Sequence, residues 1–389
     1  MDNSEASDLL NEGECLKTRW TIIRKIGGGG FGQIFEAWDK HDKQQVAIKV
    51  ERRRAPKPVL RMEVTLLKRL QGCPHACVFF GCGRTEDINY IVMQIQGPNL
   101  SELRRAQDDQ KFSASTALRL VYEALQCVEA VHSEGFLHRD IKPSNFAIGY
   151  TKETSRKVYI LDFGLARQYL DEDEQLRPER SFVGFRGTTR YASLNAHRGK
   201  ELGRHDDLIS LFYMTVEFLT GKLPWRKVKE KDLVASMKKE FAPTQLLPSG
   251  YFELENIFYY LDGLRYHRKP DYDFIRKMLC RCIVSKGVRF EESFDWEENT
   301  RQGAPRGSEA GGESIRKNRK AKHKNRFESK PSYLGRQLNA NDTELSHTGT
   351  DQLAKSEAED EAQEENVVIT KKIRTYDVTE QAVFGNVEE

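Results

Sequence analysis

The chain has 389 residues, room for two or three domain-sized units or for one two-lobed fold with tails. Its hydrophobic share of 38% and charged share of 31% place a sizeable segment outside any core, and 62 basic against 59 acidic residues leave a net charge of only +3. That balance argues against a nucleic-acid binder and against a membrane-surface protein. The first residues lack the basic-then-apolar pattern of a signal peptide, and the longest nearly apolar run, 208–219, falls short of the roughly 20 residues that span a bilayer. Seven cysteines, an odd number, fit a reducing compartment and free core thiols. Cys73, Cys77 and Cys82 lie close together, but no C-x-x-C pair supplies zinc spacing.

Residues 21–50 alternate short β-rich stretches with glycine: T-I-I-R-K-I, then Gly27 to Gly30, then Q-I-F-E-A-W-D, then Q-V-A-I-K-V. This is the pattern of an antiparallel sheet. From Val59 to Leu70 the spacing turns helical, with Leu60, Val64, Leu67 and Leu70 on one stripe, and 90–95 reverts to an apolar strand. Residues 116–131 carry Leu118, Val121, Leu125 and Val128 on one helix face, with Ser113 or Ser115 available as N-cap. Residues 208–219 are apolar almost all round and stop at Gly221 and Pro224, the signature of a buried helix. Strands first and helices after imply an α+β protein of two lobes with a ligand cleft between them.

The expected division is an N-terminal extension at 1–19 and a folded unit at 20–297, with its β-rich lobe ending near 95. A low-complexity tail follows at 298–389. The tail has too few apolar residues to offset ordering entropy and is expected to be mostly disordered. It holds a basic block at 316–326 and an acidic block at 357–365.

Within I-G-G-G-G-F-G-Q-I, Gly27, Gly29 and Gly32 give the spacing G-x-G-x-x-G between Ile26 and Ile34. Such glycines let a hairpin backbone approach phosphates, though the triplet alone is a weak signal. In V-A-I-K, strand alternation sends Ala47 and Lys49 to one face and Val46, Ile48 and Val50 to the other. Glu63 interrupts the apolar stripe of the 59–70 helix, and an inward carboxylate and an inward ammonium are each costly unpaired, so Glu63 is expected to meet Lys49. H-R-D-I-K-P-S-N at 138–145 is the most specific signal, followed at hairpin distance by Asp162, Phe163 and Gly164. Asp140 is placed to accept or orient the proton of a hydroxyl, and Asn145 and Asp162 offer oxygen ligands that suit Mg²⁺. Lys49 would clamp nucleotide phosphates with Glu63 fixing it, and Lys142 would offset charge on a transferred phosphoryl group.

Glycine loop, V-A-I-K, H-R-D-x-K-x-x-N and D-F-G in this order resemble the protein kinase superfamily over about seven-tenths of the chain, from Trp20 to Trp296. Lys142 resembles the serine/threonine branch. In place of A-P-E the chain has Ser193, Leu194 and Asn195, which resembles the casein kinase I group. Q-I-Q-G-P-N-L, L-D-F-G-L-A-R-Q-Y, G-F-R-G-T and R-H-D-D-L-x-S-L-F-Y-M look like its tau-tubulin-kinase branch.

The resemblance implies ATP and Mg²⁺ as cofactors and Met93 as gatekeeper. It makes Gln94 to Gln96 the hinge that meets adenine, with Asp207 anchoring the catalytic loop and Thr188 beside Asp140 and Lys142. It also implies that Arg190, with Arg186 close by, binds acidic or already phosphorylated protein substrates, of which tubulin or microtubule-associated proteins are one class. A monomer is expected, cytoplasmic, with the basic block open to reading as a nuclear signal, a contact to an acidic partner, a nucleic-acid patch or a solvated run. Without the A-P-E glutamate, bracing of that segment must come from elsewhere. The alternative, a pseudokinase scaffold, is disfavoured because Lys49, Asp140 and Asp162 are all present.

Overall fold

The structure, a computed structural model, describes residues 8–29, 32–55 and 58–297. Six strands form one antiparallel sheet: β1 (Cys15–Leu16), β2 (Trp20–Gly29), β3 (Gly32–Asp39), β4 (Gln44–Arg52), β5 (Phe79–Arg84) and β6 (Ile88–Gln94), ordered β1-β2-β3-β4-β6-β5. α1 (Leu60–Arg69) joins β4 to β5 in the chain. The period-2 pattern of β4 decides its two faces. Val46, Ile48 and Val50 are buried against Ile22, Phe35, Ala37, Tyr90 and Val92, whereas Ala47 and Lys49 face the interlobe cleft. Each fully buried aliphatic side chain contributes about 1.5–3 kcal/mol, so this one-sided apolar face fixes the register of the sheet.

The described part of the N-terminal extension, 8–19, packs on the β-rich lobe. Leu10 and Leu16 enter the same core, the Leu9 N–H donates to Gln33 Oε1 at 2.7 Å, and Lys25 pairs with Asp8 at 2.5 Å. A Leu9–Leu10 pair and Leu16 among polar residues carry no helix or strand periodicity, which is why the sequence did not reveal this docking.

A single residue, Ile95, separates β6 from β7 (Gln96–Asn99) and the second lobe. Asn99 starts α2 (Leu100–Arg105) by accepting from the N–H groups of Ser101 and Glu102, while the Glu102 carboxylate accepts from the Asn99 N–H. α3 (Ala114–Ser133) is capped by Ser113 rather than Ser115. Then come β8 (Phe136–Leu137), β9 (Phe146–Gly149), β10 (Val158–Ile160), β11 (Arg167–Gln168), α4 (Leu194–His197), α5 (Arg204–Thr220), α6 (Lys231–Glu240), α7 (Pro243–Leu246), α8 (Phe252–Asp262) and α9 (Tyr272–Ser285). The helical lobe also holds two small sheets, β10-β9-β7 and β11-β8. α5 is buried almost all round, as its composition requires, and packs on α3 and α8.

Residues 286–297 close back on α3: Asp295 accepts from the Ser113 N–H and hydroxyl and from the Thr116 hydroxyl. Among the described residues no helix is long and apolar enough to cross a membrane. All seven cysteines are free thiols, but only Cys77, Cys127 and Cys282 are fully buried, and Cys15 and Cys82 are exposed on the β-rich lobe. The 298–389 tail with its basic and acidic blocks lies outside the described residues.

Candidate active site

The cleft between the lobes holds a cavity of about 840 Å³. Its walls are apolar where the sheet and the hinge meet it, with Ile26, Ile34, Ala47, Met93, Ile148 and Ile160, and charged at the far end, with Lys49, Glu63 and Asp162. Gln94 and Gln96 line the hinge side, and Gln96 Oε1 is buried there without a hydrogen-bond partner. Of the three glycines of the G-x-G-x-x-G spacing, Gly27 reaches the wall. Gly29 and Gly32 pair with each other on β2 and β3, outside the lining. Gly32 has φ +136°, and a Cβ there would lie 2.2 Å from the Val50 carbonyl oxygen, so only glycine fits.

Lys49 Nζ lies 2.6 Å from Glu63 Oε2 and 2.8 Å from Asp162 Oδ1. Burial alone would depress this ammonium, but the two carboxylates outweigh it and hold Lys49 above the ordinary lysine range. Asp162 is held below the usual carboxylate range in spite of its burial, chiefly by Lys49. Asp162 has φ +62° and Arg139 φ +64°, conformations that cost of order 1–3 kcal/mol each and persist only when neighbours enforce them. The enforcer at Arg139 is Asp207, which is buried on α5. Its Oδ1 accepts from the Arg139 N–H at 2.8 Å, and its Oδ2 accepts from the His138 N–H at 2.7 Å. His132 Nε2, 2.9 Å from Asp207 Oδ2, completes the network.

This catalytic-loop backbone presents Asp140, buried and gripped on both oxygens. Lys142 Nζ is 2.6 Å from Oδ2, and the Thr188 hydroxyl donates to Oδ1 at 2.7 Å. Asn145 Nδ2 donates to the Asp140 carbonyl at 2.9 Å, which orients the amide so that its oxygen belongs to the donor set of the cavity end. Gly187, with φ +94°, packs so close that a Cβ would sit 2.5 Å from the Arg139 carbonyl oxygen, which docks the segment carrying Thr188 onto the loop.

A second cavity of about 410 Å³ opens on the other side of the loop, lined by Lys142, Ser144, Thr188, Arg190, Trp225 and Arg226 among others. Ser144 lines both cavities, so the two meet at the catalytic loop. Arg190 Nη1 lies 3.5 Å from Glu217 Oε1, and Arg104 Nη2 lies 3.5 Å from Glu217 Oε2, where the Tyr191 hydroxyl also donates at 2.6 Å. Two guanidiniums on one buried carboxylate leave a net positive field at this wall.

Arg186 does not share that cavity. The left-handed turn at Gly187 separates the two arginines, and Arg186 is exposed, bonding the Phe185 carbonyl at 2.9 Å, with its charge felt instead at Arg139. Arg226, on the loop before α6, fills the place beside Arg190 that the sequence reading gave to Arg186. No motif marks Arg226, because its contact with the site is tertiary.

In place of an A-P-E glutamate, Ser193 caps α4 by accepting from the Ala196 N–H, and Asn195 Nδ2 donates to Asp206 Oδ1 at 3.0 Å. Glu201 adds an ion pair, lying 3.2 Å from Arg167 Nε and also meeting Arg180.

The residues present fit a nucleotide with a divalent cation. The apolar slot ends in an orphaned amide oxygen at the hinge and in an ammonium with carboxylate and amide oxygens at the far end. The family model described as "Protein kinase domain" matches residues 20–285. A "Probable serine/threonine-protein kinase" of Dictyostelium discoideum is 46% identical over 292 residues, which are 75% of this chain and 59% of that relative. The chain therefore spans less than two thirds of that relative's length. Taken with the two-lobed fold and the ordered cleft, the match over most of both lobes shows that this chain belongs to the protein kinase domain family.

Proposed function

We propose that the chain is a protein serine/threonine kinase that uses Mg-ATP, of the casein kinase I group and its tau-tubulin-kinase-like branch. The observation that carries this reading is the position of Asp140, gripped by Lys142 and Thr188 at the junction of a nucleotide-sized cavity and a second, basic cavity open to solvent. The printed name of the relative and Lys142 support the serine/threonine assignment, and the S-L-N sequence at 193–195 supports the casein kinase I group.

Mg-ATP, when bound, supplies the transferable phosphoryl group. Lys49 would hold its phosphates, and Asn145 and Asp162 would ligate the metal. Met93 would border the adenine, and Gln94 to Gln96 would meet its edge. Asp140 takes or orients the proton of the incoming hydroxyl, and Lys142 offsets the charge that builds beside it. The lowered Asp162 carboxylate stays ionised for its metal at neutral pH.

Acidic or already phosphorylated segments are the substrate class that the wall of Arg190 and Arg226 favours, since guanidiniums bind carboxylate and phosphate in a fork. Cytoskeletal proteins with acidic tails, such as tubulin, belong to that class. The test is labelled ATP with arrayed peptides of acidic, phosphorylated and neutral sequence plus tubulin, using the full chain beside Asp140→Asn. Labelling of serine and threonine that vanishes in the variant supports the reading. Labelling of tyrosine only, or none by the pure protein, overturns it.

A further inference from the structure

The wall of the basic cavity is the turn from Thr188 to Ala192, and its backbone is held from beneath by two side chains. Trp225 Nε1 donates to the Arg190 carbonyl at 2.8 Å. Lys238, on α6, donates to the carbonyls of Thr189 at 2.7 Å and Ala192 at 2.6 Å, and its ammonium lies 3.3 Å from His197 Nε2. Three carbonyls in four consecutive residues are thus drawn inward, which turns the Thr188 and Arg190 side chains toward Asp140 and the cavity.

Lys238 is only 4% exposed, and its ammonium stands 5.0 Å and 5.4 Å from the ring centres of Tyr213 and Trp225. Among the described residues it has no carboxylate partner, and burial is the one influence that acts on its proton affinity, pushing it down to about 7. His197 is pushed down to about 4, chiefly by burial and then by Lys238, so its imidazole is neutral and able to accept. A buried ammonium without a counter-ion is costly, and a methionine or leucine would fill the same space without that cost. What the amino group adds is directed donors to the Thr189 and Ala192 carbonyls at the back of the turn, which its N–H bonds supply with or without the extra proton.

We propose that Lys238 is a positioning residue of the peptide seat: through the carbonyls of Thr189 and Ala192 it fixes the turn that carries Thr188 and Arg190, and so sets affinity for the protein substrate without touching substrate or nucleotide. This rests on the basic cavity being where the substrate polypeptide binds. It also supplies part of the bracing that the missing A-P-E glutamate cannot give. The nucleotide cavity is lined neither by Lys238 nor by residues 188–192, so nucleotide affinity is independent of this strut.

The test uses the full chain as wild type, Lys238→Met, which keeps length and packing but no donor, and Lys238→Arg, which keeps donors. In Lys238→Met the peptide KM rises on the order of tenfold, kcat falls by a smaller factor through the loosened Thr188 contact to Asp140, and nucleotide affinity stays within about twofold. Lys238→Arg recovers at least half of the lost affinity on a logarithmic scale. Hydrogen exchange read alongside shows the amides of residues 188–192 exchanging at least about tenfold faster in Lys238→Met, with the β-rich lobe unchanged.

Unchanged peptide KM, a parallel loss of nucleotide affinity, or an arginine no better than methionine overturns the proposal. Should the methionine variant not fold, Lys238→Gln, with one donor group left, is judged on the same readings. A wild type that binds nucleotide but labels no peptide overturns the functional reading instead. The exchange rates then decide Lys238 alone, and unchanged protection at 188–192 sinks it.

Discussion

Lys49 and Lys238 are equally hidden, each 4% exposed, yet their surroundings drive them in opposite directions. Lys49 faces two carboxylates and is held firmly charged, whereas Lys238 faces carbonyls, an imidazole and two aromatic rings and is pushed down to about 7. Burial does not decide the fate of a buried lysine; the formal charge of its partners does. The first arrangement keeps a cation with exchangeable anionic partners at the end of a ligand cavity. The second uses the amino group as a donor to two carbonyls, which shapes backbone.

The comparison can be broken at several points. The largest effect should come from the carboxylate both regions serve: Asp140→Asn is expected to cut phosphotransfer by on the order of 10² to 10⁴ with nucleotide binding retained, read by steady-state kinetics beside a nucleotide titration. Equal loss of binding would remove the role assigned to it. Next, Lys49→Met should lower turnover by at least on the order of 10² through misplaced phosphates. A variant of near-normal turnover would make Lys49 a structural ion pair and erase the contrast with Lys238.

A third test separates the two lysines by pH. The folded protein holds the Lys238 proton less tightly than the unfolded chain, whose lysine lies near 10.5, so the unfolded state binds more protons between pH 7 and about 10.5. The contribution of this lysine to stability therefore rises with pH across that window, by about 1.4 kcal/mol per unit at most, and Lys238→Met should lack the rise. Denaturant midpoints at pH 7, 8 and 9 check this. A stability gap between the two proteins that stays constant with pH would mean that Lys238 is not depressed.

The smallest effect is at the rim. Arg190→Ala should reduce the preference for acidic over neutral peptides by about fivefold, because the guanidinium is half-buried and already shared with Glu217. Peptide arrays that show an unchanged ratio would move the anion preference elsewhere, with Arg226 the next residue to alter.

What was legible in the sequence was local. The motif around Asp140 is contiguous, and the Lys49–Glu63 pair could be inferred because strand alternation and a helix stripe each forced an ionic group inward. Lys238 was not legible: it stands in a Lys-Lys pair that reads as a solvated helix end, and its acceptor at Ala192 is 46 residues away. Spacing alone could not show that Arg186 lies outside the cavity that Arg190 lines, across the bend at Gly187. Leu10 and Leu16 gave no pattern because the few apolar residues around them recur at neither a helix nor a strand period.

By itself the sequence determined which chemical groups are present and the order of the elements that carry them. Those follow from periodicity, turn residues and glycines whose constraints act within a few positions. Tertiary structure alone decided which arginine joins the basic cavity, which lysine holds its wall, and that the first described residues belong to the β-rich lobe. These depend on contacts between segments far apart in the chain, whose geometry is set by how the two lobes and the α5–α6 region pack, and no local pattern encodes it.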